Sequence, residues 1–317
     1  MWQKYYGAFK LEEALDVLAK HRESARVVAG GTDLVLEIKR DLHPDTEILV
    51  DITRIPGLKD ISLGEDGNIH IGPLATHNDC AASELLRKHA APLAQACWTV
   101  GSPQIRNLGT IAGNLATASP ANDTISPLMA LDASLTLQSS SGKRVVSLAD
   151  FYKGVRRTVM EPEELIVDIH FKPMAPDQKG VFIKNALRKA QAISVLNLTI
   201  LLGMDGDTVG SAAITLGAVA PTIIHAVEAE KYLVGKKLDE NTIAEAAETT
   251  AAAAKPIDDV RGSADHRRRV VKGLARRGLA ALRDGTELTP LPEDPVLLKT
   301  PEEFYAADSG GYWEGGP

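Results

Sequence analysis

Cysteine is nearly missing from this chain of 317 residues. Cys80 and Cys97 are its two cysteines, and neither belongs to a CxxC or CxnH pattern. A zinc or iron–sulfur site takes about four ligands, so both cysteines read as small buried hydrophobes. Long apolar runs are missing too. No window approaches the roughly 18 uninterrupted apolar residues of a membrane span. The start, "MWQKYYGAFKLEEALDVL", lacks the apolar core and cleavage site of a signal peptide. The expected location is the cytoplasm, with no membrane span. No GxGxxG follows a strand and no GxxxxGK[ST] occurs, which removes the main support for Rossmann and P-loop readings. No acid/base pair, nucleophile triad or metal-ligand cluster stands out, so no catalytic residue and no metal ligand is assigned. His70 and His77, in "NIHIGPLATHND", read as a strand residue and a helix-start residue.

What is present is ordinary for a globular protein, with 44% hydrophobic and 24% charged residues. The length allows two or three domains. The net charge of −7 is concentrated at one end. From Asp284 onward, eight acidic residues face Lys299 alone, which accounts for the whole imbalance. Nucleic acid is therefore not an expected partner. This tail is rich in Pro and Gly and carries Phe304, Tyr305, Tyr312 and Trp313. It reads either as a frayed terminus or as an arm packed on a partner. The basic stretch "HRRRVVKGLARR", His266 to Arg277, reads as a solvated helix face, with a partner contact as the alternative.

Leu11, Ala14, Leu15 and Leu18 fall at i, i+3, i+4 and i+7 and predict an amphipathic helix. "ARVVA" reads as a strand, "GGT" as a turn, and "DLVLEIKRD" as a helix with Thr32 placed to cap it. "EILVDI" completes a β-α-β unit, which sets the first part at residues 1–55. The second, 56–176, has strand-like "NIHIGPLAT", "SLTLQS", "KRVVSL" and "ELIVDIHF", and helices around Asp79 to Lys88 and Pro92 to Val100. In the third, 177–283, strands precede helices at about 226–234, 240–254 and 264–283, which predicts a sheet covered on one face. Residues 284–317 form the acidic tail, and the whole is read as α+β.

Two glycine segments carry the chemistry. A strand that ends in Gly30-Gly31 and turns into a helix presents unpaired N–H groups. Glycine there permits positive φ and has no Cβ to hold a phosphate away. Thr32 and the helix start add a hydroxyl and the positive end of a dipole. In "NLGTIAGNLATASP", Gly109 and Gly113 bracket Thr110, Ile111 and Ala112, and Asn114 follows. Ser119-Pro120 predicts a helix start, with Asp123 free to accept from a sugar or ribityl hydroxyl. Two such loops suit two adjacent phosphates, hence a diphosphate dinucleotide. A side chain at Gly30 or Gly113 is expected to push that pyrophosphate off its donors while leaving the fold intact.

"VVAGGTDL", "GTIAGNLATASPANDTISPLMALDA", "EELIVDIHF", "FIKNALRKAQAISVLNLTI" and "GAVAPTIIHAVEAEKYLVGK" with "PIDDVRGSADHRRRVVKGLARRGL" resemble, in order, successive blocks of one family. It is the FAD-binding medium subunit of the molybdenum hydroxylases: xanthine dehydrogenase, aldehyde oxidoreductase and carbon monoxide dehydrogenase. The resemblance covers about residues 1–283. It implies a vanillyl-alcohol-oxidase (PCMH)-type fold of two FAD-binding subdomains, followed by a small α+β domain of the CO dehydrogenase flavoprotein type. By that resemblance the first pyrophosphate loop is Val27, Val28, Ala29, Gly30, Gly31, Thr32, Asp33 and Leu34. The second is Thr110 to Asn114, flanked by Gly109 and Ser119. Asp123 matches an FAD-contacting aspartate, and Val100, Ile166 and Lys184 match positions that line the flavin or adenine. Where the family often has two successive glycines, this chain has Ala112-Gly113, which demands negative φ at 112. Relatives that reduce 4-hydroxybenzoyl-CoA carry a four-cysteine insertion that is absent here, and no histidine or cysteine stands at an obvious flavin attachment site.

The function that the resemblance implies is an oxidoreductase subunit with noncovalent FAD. Molybdopterin and [2Fe–2S] groups belong to a large and a small partner subunit, in an αβγ complex or its dimer. The small subunit delivers electrons singly, and FAD passes pairs to an external acceptor. Two rivals stand beside it: a self-contained flavin oxidoreductase, and a non-catalytic flavin-binding docking subunit. The substrate and the acceptor, whether NAD, quinone, ferredoxin or oxygen, are not legible in this sequence.

Overall fold

The computed structural model describes residues 2–293, 295 and 311–314. Strands Lys4–Gly7, Ala25–Val28 and Ile48–Asp51 lie parallel, with Ile48–Asp51 in the middle. Helix Leu11–His21 buries Ala14, Leu15 and Leu18 against them, as its periodicity requires. The short helix Leu34–Lys39 departs from expectation, because Thr32 does not cap it. Asp33 holds the first position with helical dihedrals (φ −94°, ψ −51°) and makes no capping bond. An N-cap needs extended backbone for its side-chain oxygen to fold over the first N–H groups.

The acidic tail returns to its own chain. Thr289 Oγ1 donates to the Phe182 carbonyl at 2.9 Å, and Arg87 donates to the Glu293 carbonyl at 3.1 Å. Strand Gly311–Glu314 then pairs antiparallel with Lys4–Gly7 and adds a fourth strand to the first sheet. Neither alternative read from the sequence describes this. Phe304 and Tyr305 lie outside the described residues, as do the side chains of Tyr312 and Trp313.

A five-stranded antiparallel sheet follows, in the order Ile61–Leu63, Ile69–Ile71, Leu165–Phe171, Ser134–Ser139, Gly142–Ser147. Its inner residues Ile69, Ile71, Leu135, Leu137, Ile169 and Phe171 pack on helices His77–Ala82, Ala91–Thr99, Ile111–Thr117 and Ile125–Ala130. The single helix expected around Asp79 to Lys88 is two, His77–Ala82 and Glu84–His89. Ser83 is extended between them and its hydroxyl accepts the Leu86 N–H. Cys80 and Cys97 are fully buried in this core. They are also neighbours: a hydrogen bond to Cys97, with burial adding to it, pushes the Cys80 thiol well above its ordinary pKa.

The third sheet is antiparallel: Gln178–Ala186, Ser194–Asp205, Thr208–Gly217, Ile224–His225. Helices Val227–Leu233, Glu240–Ala253 and Ala264–Asp284 cover one face. The other face is not open to solvent, contrary to the one-sided layer expected. Helices Ala91–Thr99 and Ile125–Ala130 of the preceding unit press against it, and ten successive residues of the central strand, Ser194 to Gly203, are buried. That seam is polar. The Phe182 N–H donates to Gln95 Oε1 at 2.9 Å, Thr215 Oγ1 to the Ser126 carbonyl at 2.8 Å, and Ser126 to Asn197.

Asp123 lies in the same seam. Its carboxylate receives Lys184 Nζ at 2.5 Å, Ser194 Oγ at 2.6 Å and Asn197 Nδ2 at 3.3 Å, all from the third sheet. The pair's side chains are 9% (Lys184) and 7% (Asp123) exposed. The basic helix is similarly committed: Arg268 pairs with Asp265, Arg283 with Glu240 and Lys272 with Glu248. Arg267 is buried, where it reaches Asp259 and the Ala218 carbonyl. The solvated-face reading therefore fails at Arg267, while Arg268, Lys272 and Arg276 are exposed side chains paired with nearby acids.

Two stability predictions follow from these ion pairs. Removing one partner of a buried pair strands the other, so Lys184→Met should cost about 3–5 kcal/mol in urea unfolding. The double variant Lys184→Met/Asp123→Leu should recover part of that loss; an unchanged midpoint in the single variant would refute the seam's role. Asp259 is held below its ordinary pKa of 3.8, first by its hydrogen bond to Arg261, against burial, and then by Arg267. A depressed carboxylate stabilises the fold fully above the unfolded value, and this is lost as pH falls towards the folded one. The stability gap between wild type and Asp259→Asn, about 1.5–3 kcal/mol at pH 7, should therefore narrow below pH 3.8.

Candidate functional site

A cleft of about 760 Å³ opens between the first sheet and the helices of the second unit, within the roughly 300–1,000 Å³ of small-molecule sites. Both glycine segments form its walls. Val27, Ala29, Gly30, Gly31, Thr32, Asp33 and Leu34 line one side, and Gly109, Thr110, Ala112, Gly113, Asn114 and Ser119 the other. Val100, Asp123 and Ile166 also reach it.

Three predicted residues stand outside this lining. Val27 lines the cleft and its neighbour Val28 does not. Ile111 is fully buried in the core beneath, and its N–H is spent on the Ala75 carbonyl at 3.0 Å. Lys184 lies behind Asp123, donating to it and, at 3.0 Å, to the Thr99 carbonyl. Asp123 thus reaches the cleft while also serving the seam, a second role that its place in the chain did not suggest. Three donors from distant strands already occupy it.

The second segment is not a loop. Residues Ile111–Thr117 form a helix, and Thr110 caps it by accepting the Gly113 N–H at 3.1 Å. Gly113 is therefore a helical residue with no need of positive φ, and Ala112 meets its negative-φ requirement by being helical. Ser119-Pro120 forms a turn, and the next helix starts at Ile125. In the first segment Gly31 is the residue with left-handed backbone, at φ +66°.

Gly30 serves a different contact from the one expected. A Cβ there would stand 1.9 Å from the Leu108 carbonyl oxygen and 3.0 Å from Gly109 Cα. The two segments thus touch backbone to backbone. Arg106 buttresses the far side: its guanidinium lies 4.2 Å over the Trp98 ring and donates to Asn78 and to the Val100 carbonyl.

The wall carries four carboxylates. Burial works against ionisation of Glu37, yet hydrogen bonds from His43 and Arg156 hold it below its ordinary pKa. Glu164, likewise opposed by burial, is held low by Arg144 and the Glu161 N–H. Asp33 is raised, chiefly by burial and then by Glu37. Asp123 belongs to the Lys184 pair. Sequence reading missed His77, Glu37 and Arg156 in the lining. His77 is 2% exposed and its Nδ1 has no partner; its position just after the capping Thr76 was the one local signal.

The cradle suits FAD: backbone of two small-residue segments, a capped helix start between them, and an orphaned polar atom in the wall. Comparisons with known proteins agree. Residues 2–173 match the FAD binding domain in molybdopterin dehydrogenase, and residues 182–282 the CO dehydrogenase flavoprotein C-terminal domain. The chain belongs to the FAD-binding subunits of the molybdopterin dehydrogenases. It is 35% identical over 245 residues to the nicotinate dehydrogenase FAD-subunit of Eubacterium barkeri, covering 76% of this chain and 82% of that one. It is 30% identical over 279 residues to the carbon monoxide dehydrogenase medium chain of Hydrogenophaga pseudoflava, covering 88% and 96%. A solved carbon monoxide dehydrogenase from that organism superposes with a TM-score of 0.85 at 28% identity, over 90% of this chain and 99% of the other. Quinoline 2-oxidoreductase from Pseudomonas putida 86 gives 0.84 at 30%, over 90% and 98%. The fold is thus the α+β, two-subdomain flavoprotein architecture with its C-terminal domain, and no described helix is long and apolar enough to cross a membrane.

The two glycines therefore separate in their consequences. Gly30→Val must break the contact with Leu108, so bound flavin per chain should fall at least tenfold and the melting temperature should drop by several degrees. Gly113→Ala meets only Thr110 Oγ1, at 3.0 Å, and should keep the melting temperature within about 2 °C. Absorbance at the flavin band and thermal unfolding measure both; equal behaviour of the two variants would refute the backbone contact.

Proposed function

We propose that this family member is the electron-relay subunit of a molybdenum-dependent dehydrogenase. It takes electrons from a [2Fe–2S] subunit and passes them to an external acceptor, while a large molybdopterin subunit oxidises the substrate. The commitment of the wall's carboxylates carries this reading over a self-contained oxidoreductase. Glu37, Asp123 and Glu164 are each held by a cation, and Asp33 sits in the first glycine segment. These three paired carboxylates do not stand ready to exchange a proton with a substrate, and Asp33, its pKa raised by burial, accepts from Thr117.

FAD, when bound, supplies one- and two-electron transfer. The chain's own residues bind and orient. The segments around Gly30-Gly31 and Thr110-Gly113 would hold the pyrophosphate by backbone donors and a helix start. Val100 and Ile166 would give the rings an apolar wall and exclude water. Arg156, already paired with Glu37, would lend positive potential.

The purified chain should carry about one FAD per polypeptide, all of it released by acid or heat. Mixed anaerobically with a reduced [2Fe–2S] partner subunit, it should bleach at 450 nm; alone with candidate substrates it should not. Native mass of the complex from its source should contain the small and large partner subunits. A lone chain that oxidises a substrate would replace the relay with the self-contained oxidoreductase.

A further inference from the structure

Away from the cleft, the outer face of the five-stranded sheet gathers His70, Asp168 and His170. Strands Ile69–Ile71 and Leu165–Phe171 pair antiparallel with His70 directly opposite His170, and the two rings stack at 5.6 Å. Asp168 joins them through an irregularity. Strand alternation would place it on the inner face with Ile166, but the register shifts between Ile166 and Asp168. Such a bulge re-aims the residues that follow it. Ile166 and Ile169 face the core, while Asp168 comes to the face that His170 occupies.

The donor atoms converge. Asp168 Oδ2 lies 2.9 Å from His70 Nδ1 and 3.0 Å from His170 Nδ1, and one ligand atom from each of the three residues falls within 4.8 Å of the others. Edges of about 3.3 Å separate ligands that sit 2.0 Å from a tetrahedral ion. The second nitrogen of His70 is also fixed: Nε2 lies 3.1 Å from Asp66 Oδ1, on the turn of the preceding hairpin. Metal-bound histidines are oriented in this way, with the remote N–H given to a carboxylate. Gly64 makes the arrangement possible, because a Cβ there would meet Asp66 Oδ1 and His70 Nε2 at 2.7 Å.

We propose that His70 Nδ1, His170 Nδ1 and Asp168 Oδ2 bind a divalent first-row transition-metal ion of the zinc class, with Asp66 orienting His70. Side-chain exposures of 32%, 19% and 25% for His70, His170 and Asp168 leave an entry path and an open position for water or a donor from a partner. Three protein ligands with one open position match exchangeable sites more than closed structural ones. The ion would tie the Ile69–Ile71 hairpin to a strand 98 positions away in sequence. Sequence reading assigned no metal ligand because the three residues show no spacing pattern.

Full-length, flavin-loaded chain freed of metal by a chelator and titrated calorimetrically with Zn²⁺ should bind one ion per chain. His170→Ala should weaken this at least 100-fold, and Asp66→Asn by about 10–100-fold. Both should keep wild-type flavin content and metal-free melting temperature. His170→Gln serves as a second, volume-conserving test with the same expected loss. Absence of stoichiometric binding, or equal binding by the wild type and the His170 variants, would overturn the site.

Discussion

A single desolvated carboxylate joins this molecule together. Asp123 sits between the turn beside the flavin cleft and the first two strands of the C-terminal sheet, and its donors come from those strands. Neither Asp123 nor Lys184 can be buried alone without the large cost of an uncompensated charge. The cleft's floor and the C-terminal sheet are therefore ordered together. The same seam explains why the sheet's second face is polar yet dry: Asn197, Thr199 and Thr215 are fully buried there, opposite the helix that starts just after Asp123. The first strands of the C-terminal domain thus back the turn beside the cofactor cleft.

The cleft itself depends on a closer approach, between the backbone at Gly30 and that at Leu108. That approach brings the two glycine segments to opposite walls of one cleft. Glu37, Asp123 and Glu164 in the wall are each neutralised by a cation. That is in keeping with the relay role proposed above, in which the chain binds its cofactor and takes no part in the chemistry of the substrate. The His70, Asp168 and His170 group stands on the opposite face of the sheet whose inner side carries Ile166 into the cleft. The bulge beside Ile166 serves both sides, since it separates a cofactor-facing residue from a cluster-forming one.

Much of the local structure was legible beforehand. The spacing of Leu11, Ala14, Leu15 and Leu18, the apolar runs at 25–28 and 48–51, and the helix at 264–284 all appear where periodicity put them. Hydrophobic pattern encodes which face is buried, and that is a local property. The family resemblance, carried by consecutive blocks, was legible for the same reason, and it placed both glycine segments on one cleft.

Three features were decided by tertiary structure. Asp33, not Thr32, holds the cap position of Leu34–Lys39. Gly30 is required by a carbonyl 78 positions further along the chain, not only by a ligand. Asp123, apparently available, is taken up by Lys184, Ser194 and Asn197, which lie 61, 71 and 74 positions away. The sequence by itself determined most elements and buried faces and, through the family resemblance, the cofactor class. Only the folded chain decided which polar groups are spent on one another and which remain to bind something. Hydrogen bonds and ion pairs depend on ångström distances between residues remote in sequence, and no periodicity records those distances.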